Sequence, residues 1–319
     1  MMNYIDLPAY DGSMIHVSRI GMGSTMSMER LTTEEKYRLY DYYLEQGGNC
    51  IDTARAYSDG HAEEMVGAYL KARKNRDRVI ISTKGGHPTW ENPEKSRVKR
   101  EDILGDLETS LRILGTDYAD IYWIHKDDES HPIEDIVDTI NIIIKQGKAR
   151  RIGASNFTME RMIAANKYAR ESGQYGFAAS QIQWSLAATE DKYFEQYGSL
   201  VMTPERYDYY LENDIPVFAF SSQAQGFFSR VAVQGLEAMP EELRRQYGSE
   251  DNMKRLELLK IYAKEHNCSI SAPSLGYLIN NKLNCVALIG AESIEMLAQS
   301  LEAADLQMTA EEADALYEV

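Results

Sequence analysis

Cysteine is scarce in this 319-residue chain: Cys50, Cys268 and Cys285 are the only three, far apart and with no CxxC pair. An odd, dispersed set argues against a disulfide framework and against a thiolate metal site. The apolar runs in or beside which two of them lie predict buried free thiols instead. Basic residues are also in short supply, 34 against 50 acidic ones, for a formal charge of -16. So acidic a surface argues against nucleic acid or an anionic membrane as partner and favours solubility. No apolar run approaches the ~18 residues of a membrane span. The first residues, Met1 to Asp6, lack the basic segment and apolar core of a signal peptide. A cytoplasmic protein is expected. No linker, repeat array or low-complexity segment divides the chain, so a single domain over 1–319 is expected.

What the chain does have is a rhythm. Residues 3–20 alternate polar and apolar around Asp11-Gly12, the pattern of a β-hairpin. Apolar runs that read as strands then fall at 19–23, 49–52, 78–83, 119–124, 149–154, 178–183, 215–220 and 285–289. Segments of helical spacing follow them at 33–46, 61–74, 100–114, 132–146, 158–171, 203–213 and 293–304, with 251–266 and 271–281 before the last strand. Eight strands, each followed by a helix, predict a parallel sheet closed into an α/β (β/α)8 TIM barrel behind an N-terminal β-hairpin. No Gly-x-Gly-x-x-Gly follows any strand, which weakens the open dinucleotide-binding sheet as an alternative. Two connections, Gly85–Lys99 and Ser221–Glu250, are longer than packing requires and are expected to be lids on the carboxyl-end face.

Several of these runs end in reactive side chains. Asp52 closes the second strand, with Tyr57 in the loop beyond it; Lys84 follows the third run and His125 the fourth. In a barrel these strand ends are neighbours, so the four side chains converge. A phenol of pKa about 10 is a poor acid at neutral pH. A nearby ammonium stabilises the phenolate and lowers that value, a carboxylate holds the ammonium, and a histidine can orient a carbonyl oxygen. Singly, Lys84 reads as a strand-end lysine and His125 as a core histidine; together they read as a site for proton transfer to a developing alkoxide.

The chain resembles the aldo-keto reductase superfamily over essentially its whole length. The match is carried by Gly21-Met22-Gly23-Ser24, Asp52-Thr53-Ala54-Arg55-Ala56-Tyr57, Ser82-Thr83-Lys84, the run from Asp117 to His125 and the run from Gly147 to Phe157. The resemblance implies a barrel with a nicotinamide dinucleotide as hydride donor, Tyr57 as proton donor, Lys84 and Asp52 tuning it, and His125 orienting the carbonyl. It further implies Gly23, Ser24 and Asp52 beside the cofactor, and Ser155, Asn156 and Gln181 on its carboxamide. Phe220 would stack on the ring, and Ser221, Gln223, Gln225, Gly226 and Arg230 would cover the phosphates.

At the adenosine end the chain departs from the family. Gly290, Ala291, Glu292, Met296, Gln299 and Ser300 fill the expected positions, yet Met296 replaces a cofactor-contacting Arg or Gln. Glu292 brings a carboxylate where a 2′-phosphate would lie, so NADPH and NADH both remain open. The substrate is expected to be a small carbonyl or alcohol, sugar-like molecules included, with His87, Trp90, Asp127 and Tyr193 as candidate pocket residues. No metal is expected, and the sequence leaves the oligomeric state open. A nucleotide-binding regulatory or sensor subunit with little turnover is the alternative reading. The short stretch after the last helix implies that no long C-terminal tail closes the pocket.

Overall fold

A computed structural model describes residues 1–24 and 30–318. The chain opens with two strands, β1 (Tyr4–Pro8) and β2 (Met14–Ser18), paired antiparallel from Tyr4↔Ser18 to Pro8↔Met14. Gly12, with φ +83, supplies the left-handed residue of the turn. The barrel follows as β3 (Ile20–Gly23), α1 (Thr33–Glu45), β4 (Cys50–Asp52), α2 (His61–Arg73), β5 (Ile80–Gly85), α3 (Arg100–Leu114) and β6 (Ala119–Ile124). It continues through α4 (Ile133–Lys145), β7 (Ala149–Ser155), α5 (Met159–Ser172), β8 (Ser180–Gln183), α6 (Pro204–Glu212) and β9 (Val217–Phe220). After β9 come α7 (Phe227–Gln234), α8 (Glu241–Tyr247), α9 (Glu250–His266), α10 (Ser271–Ile279), β10 (Cys285–Ile289), α11 (Ile294–Leu301) and α12 (Ala310–Tyr317).

Strands β3 to β10 form one closed parallel barrel in chain order, sealed where Ala287 of β10 pairs with Ile20 of β3. The helices begin and end where their sequences say they should. Thr32 and Glu35 form a reciprocal capping box at α1, Thr158 caps α5, and Ser249 caps α9. Gly115 and Gly173 end α3 and α5 in the left-handed conformation. Along α4, Ile133, Ile136, Val137, Ile140 and Ile143 are buried at helical spacing, which lays one face on the sheet.

Two apolar cores result. One fills the space between barrel and helices. The other lies inside the barrel, where Ile121, Trp123, Phe218, Val286 and Leu288 meet Ile5, Leu7, Ile15 and Val17 of the hairpin. The hairpin therefore plugs the amino end of the barrel and leaves the carboxyl ends free. Each such side chain stabilises the fold by about 1.5–3 kcal/mol, and an Asp in place of the fully buried Val17 would open that plug.

One expectation needs correction. The connection 221–250 is not a loop, since α7 and α8 occupy much of it; only 85–99 remains irregular, with Thr89 and Asn92 bridged across its tip. Cys50 and Cys285 are buried free thiols. Among the described residues no helix is long and apolar enough to cross a membrane, and no cluster of side chains could hold a metal ion.

Candidate active site

Asp52, Lys84 and His125 stand at the carboxyl ends of β4, β5 and β6, and Tyr57 reaches them from the turn after β4. Lys84 Nζ donates to Asp52 Oδ2 at 2.5 Å, to Tyr57 Oη at 2.9 Å and to the Thr53 carbonyl at 2.9 Å. The Tyr57 and His125 rings meet edge to face with centroids 5.7 Å apart. The four side chains are thus one contiguous group, as the strand-end pattern predicts.

Their electrostatics follow from burial. Burial disfavours the Lys84 ammonium, but Asp52 and Tyr57 more than offset it, so the lysine is held above its ordinary pKa and stays charged. Burial raises the Tyr57 phenol; Lys84 pulls it down, yet not enough, and the net direction is upward. The ammonium thus pulls the phenol in the expected direction, and loss of solvent acts against it. Burial first, then the charges of Lys84, His87 and Lys126, push His125 far below the usual imidazole range. Its ring is neutral, and its Nδ1 is buried with no hydrogen-bond partner.

Further contacts fix the group. Asp52 Oδ1 accepts from Ser82 Oγ at 2.7 Å and from Gln181 Nε2 at 3.2 Å, while Ser82 Oγ accepts from Trp123 Nε1 at 2.8 Å. Trp123 is itself wedged in the barrel interior, edge to face with Phe218 at 5.0 Å. The turn carrying Tyr57 is pinned by Arg55, which donates to Glu63 Oε2 at 2.7 Å and to the Asp59 carbonyl at 3.1 Å. Gly60, at φ +93, lies against this guanidinium, and a β-carbon there would collide with it.

The residues expected to hold a dinucleotide line up along the adjacent strand ends. Ser155 ends β7, Asn156 follows it and Gln181 lies in β8; Asn156 Nδ2 donates to Ser155 Oγ at 3.0 Å. Gly23 pairs in register with Asp52, and Ser24 N donates to the Asp52 carbonyl at 2.9 Å. Ser24 Oγ is buried and unpartnered. Phe220, the last residue of β9, is half-buried, and beyond it Ser221, Ala224 and Gln225 take left-handed φ values of 50, 47 and 56°. That bent segment is tied to β10 and to α11. Gln223 Nε2 donates to Ser300 Oγ at 3.1 Å, and Ser222 Oγ to the Leu288 carbonyl at 2.7 Å. Arg230, one helical turn into α7, has no carboxylate partner among the described residues. Gly290 and Glu292 are exposed, Ala291 is buried, and Gln299 is half-buried. Met296, in the first turn of α11 behind the Ser293 cap, is 47 % exposed. The α11 end of this row presents the Glu292 carboxylate and the uncharged Met296, and no cation among its described residues.

The substrate candidates separate. His87 packs on His125 with centroids 4.8 Å apart and on Trp90 at 5.9 Å, and Trp90 Nε1 donates to the Ala56 carbonyl at 3.2 Å. Tyr57, His125, His87 and Trp90 thus form a continuous aromatic wall running outward to an indole that is 66 % exposed. Asp127 does not offer a free carboxylate: its oxygens accept from Arg161 Nε at 2.7 Å and Nη2 at 2.8 Å. Tyr193 packs half-buried on the outer core with the Lys192 ammonium over its ring. Sequence reasoning missed Ser82 and Trp123 as supports. Both lie two residues from others on the same strand face, Ser82 before Lys84 and Trp123 before His125, and that alternation was the available signal.

A closed barrel that gathers an acid, a lysine, a tyrosine and a histidine at its carboxyl face has the make-up of an oxidoreductase. The chain belongs to the aldo/keto reductase family, whose model matches residues 19–319. It is 28% identical over 305 residues to a probable aryl-alcohol dehydrogenase of Saccharomyces cerevisiae, covering 92% of this chain and 89% of that one. It is 25% identical over 335 residues to an aryl-alcohol dehydrogenase [NADP(+)] of Phanerodontia chrysosporium, covering 94% and 82%. An aldo/keto reductase from Klebsiella pneumoniae, solved with NADP and acetate, shares its fold: TM-score 0.72, 24% identity, 98% of this chain and 93% of that one. The protein is thus a nicotinamide-dependent oxidoreductase of carbonyl and alcohol substrates.

Proposed function

We propose that this protein, acting as one catalytic unit over its whole length, interconverts an aromatic aldehyde or ketone and its alcohol in the cytoplasm. The observation that carries the reading is the Lys84 ammonium bonded at once to Asp52 and to the Tyr57 hydroxyl. Tyr57 gives its proton to the oxygen of the carbonyl being reduced, and Lys84 stabilises the phenolate left behind. Neutral His125 donates a hydrogen bond that orients that oxygen, and Asp52 keeps Lys84 charged and aimed. A bound nicotinamide supplies the hydride. Ser155, Asn156 and Gln181 hold its carboxamide, Phe220 its ring face, and the segment from Ser221 to Arg230 its phosphates.

The aryl preference rests on the ring wall from Tyr57 to Trp90, with the names of the relatives in support; that wall favours a flat apolar ring over a hydroxyl-rich sugar. Exposed Glu292 and uncharged Met296 support weak discrimination for NADPH over NADH, with Arg230 as the cation for any 2′-phosphate. Steady-state cofactor oxidation with a panel of aryl aldehydes, alkyl aldehydes and aldoses, each with both cofactors, tests this. Turnover highest on aryl aldehydes is expected. Nucleotide binding without turnover on any carbonyl would instead make the protein a binding subunit.

A further inference from the structure

The turn that delivers Tyr57 runs against the backbone preferences of its own residues. Directly after Tyr57, three consecutive residues take left-handed φ values: Ser58 at 48°, Asp59 at 53° and Gly60 at 93°. Only glycine enters that region without steric cost, so two of the three oppose the shape in which they are held. Such a segment persists where its surroundings over-determine it. What holds this one also holds the Tyr57 hydroxyl at 2.9 Å from Lys84 Nζ.

Arg55 reaches both ends of the turn. Its backbone N–H donates to the Lys84 carbonyl at 3.0 Å, which fixes the start of the turn on β5. Its guanidinium crosses to the other end, where Nη2 donates to the Asp59 carbonyl at 3.1 Å and Nη1 to Glu63 Oε2 at 2.7 Å. Glu63, in the first turn of α2, is fully buried, and its other oxygen accepts from Thr83 Oγ1 at 2.7 Å. Thr83 stands just before Lys84 on β5. The chain of bonds therefore leaves β5 at Lys84, passes through Arg55 and Glu63, and returns to β5 at Thr83, with the Tyr57 turn spanned between.

We propose that Arg55 is a positioning residue for carbonyl reduction: with Glu63 it clamps the strained turn so that the Tyr57 hydroxyl stays on Lys84. The inference rests on Tyr57 being the proton donor. Arg55 acts on that hydroxyl through the turn alone, so its loss misplaces the proton and spares ligand binding. A displacement of about 1 Å at a reacting group costs on the order of 10²-fold in rate.

Steady-state kinetics on the whole protein, with cofactor titration and a thermal melt beside them, test the clamp. Arg55→Met should lower kcat for an aryl aldehyde at least about tenfold, with KM and cofactor affinity within about twofold, and Arg55→Lys should recover part of the kcat. Wild-type kcat in folded Arg55→Met overturns the proposal. Arg55→Met also strands the buried Glu63 carboxylate, which costs stability. Arg55→Met/Glu63→Gln removes that charge, so it should melt closer to wild type and still turn over slowly. Recovery of wild-type kcat in this double variant overturns the proposal, because the loss then belonged to the fold. In a Tyr57→Phe background Arg55→Met should cost nothing further, since the hydroxyl it positions is gone; a second full loss there places its action elsewhere and overturns the proposal too. Tyr57→Phe alone tells the two readings apart. If it keeps its kcat, the proton donor itself falls; if it loses kcat while Arg55→Met does not, only the clamp falls.

Discussion

Gln181 Nε2 lies 3.2 Å from Asp52 Oδ1, although 129 positions separate the two residues in the chain. The amide proposed to hold the nicotinamide thus touches the carboxylate that holds Lys84, so cofactor seating and proton-donor geometry share one hydrogen-bonded path. Gln181→Leu is expected to weaken cofactor binding and also to lower kcat, because Asp52 loses a donor on the side opposite Lys84. A hydrogen bond to a charged group is worth about 1.5–3 kcal/mol, or roughly 10–150-fold summed over both steps. Cofactor titration with single-turnover rates separates the two contributions, and an effect on binding alone would uncouple them.

Removing only the transferable proton is the sharpest test of Tyr57. Tyr57→Phe keeps the ring against His125 and should lower carbonyl reduction by at least ~10²-fold, with cofactor affinity nearly unchanged. A variant that kept most of its kcat would take Tyr57 out of the acid role.

The pH dependence follows from the directions of the shifts. Lys84 lowers a Tyr57 pKa that burial raises, so Lys84→Met should send it higher still and move the alkaline limb of the reduction profile upward while slowing turnover. Lys84 itself is held above its ordinary value. The stability it contributes is therefore full below the unfolded lysine pKa and fades as pH rises through the folded one. His125 is shifted far down and stays neutral, so no limb from it is expected near its ordinary pKa. A thermal melt beside the pH–rate profile shows whether Lys84→Met remains folded, and an unmoved limb in a folded, active variant would refute the tuning.

At the adenosine end, Glu292→Arg should tighten NADPH by about fivefold and leave NADH unchanged. The gain is modest because position 292 is exposed and its charge screened. Titration of both cofactors into wild type and variant decides it. If wild type already prefers NADPH at least tenfold and the variant changes nothing, Glu292 faces away from the phosphate.

Asp127 should behave as a brace. Asp127→Asn loses the paired bonds to Arg161 and is expected to cost about 1–3 kcal/mol of stability, with KM for an aryl aldehyde within twofold of wild type. Chemical denaturation and steady-state kinetics together check this, and a large KM change at unchanged stability would return Asp127 to the pocket.

The barrel was legible because each strand is an apolar run between polar ends, and the hairpin because its alternation surrounds Asp11-Gly12. The convergence of Asp52, Lys84 and His125 followed from strand order alone. What stayed hidden depended on partners or on weak local signals. Helix α7 starts at Gly226 with no side-chain cap, so the stretch after β9 reads as loop. Helix α12 carried a capping box, Thr309 with Glu312, that went unread. The Asp127–Arg161 pair joins residues 34 apart, and no local pattern announces it. The net pKa of Tyr57 depends on how deeply the ring is buried, which a motif does not state.

The seam between β3 and β10 bears on how the protein is made. Ile20 is among the first barrel residues to leave the ribosome, yet its partner Ala287 is among the last. Until β10 arrives, the growing sheet has two open edges, each a row of unpaired N–H and C=O groups ready to pair with another chain. Synthesis at about 5–20 residues per second keeps those edges exposed for tens of seconds. Slowed translation or high expression should therefore reduce soluble yield far more than any loss of folded-state stability would suggest.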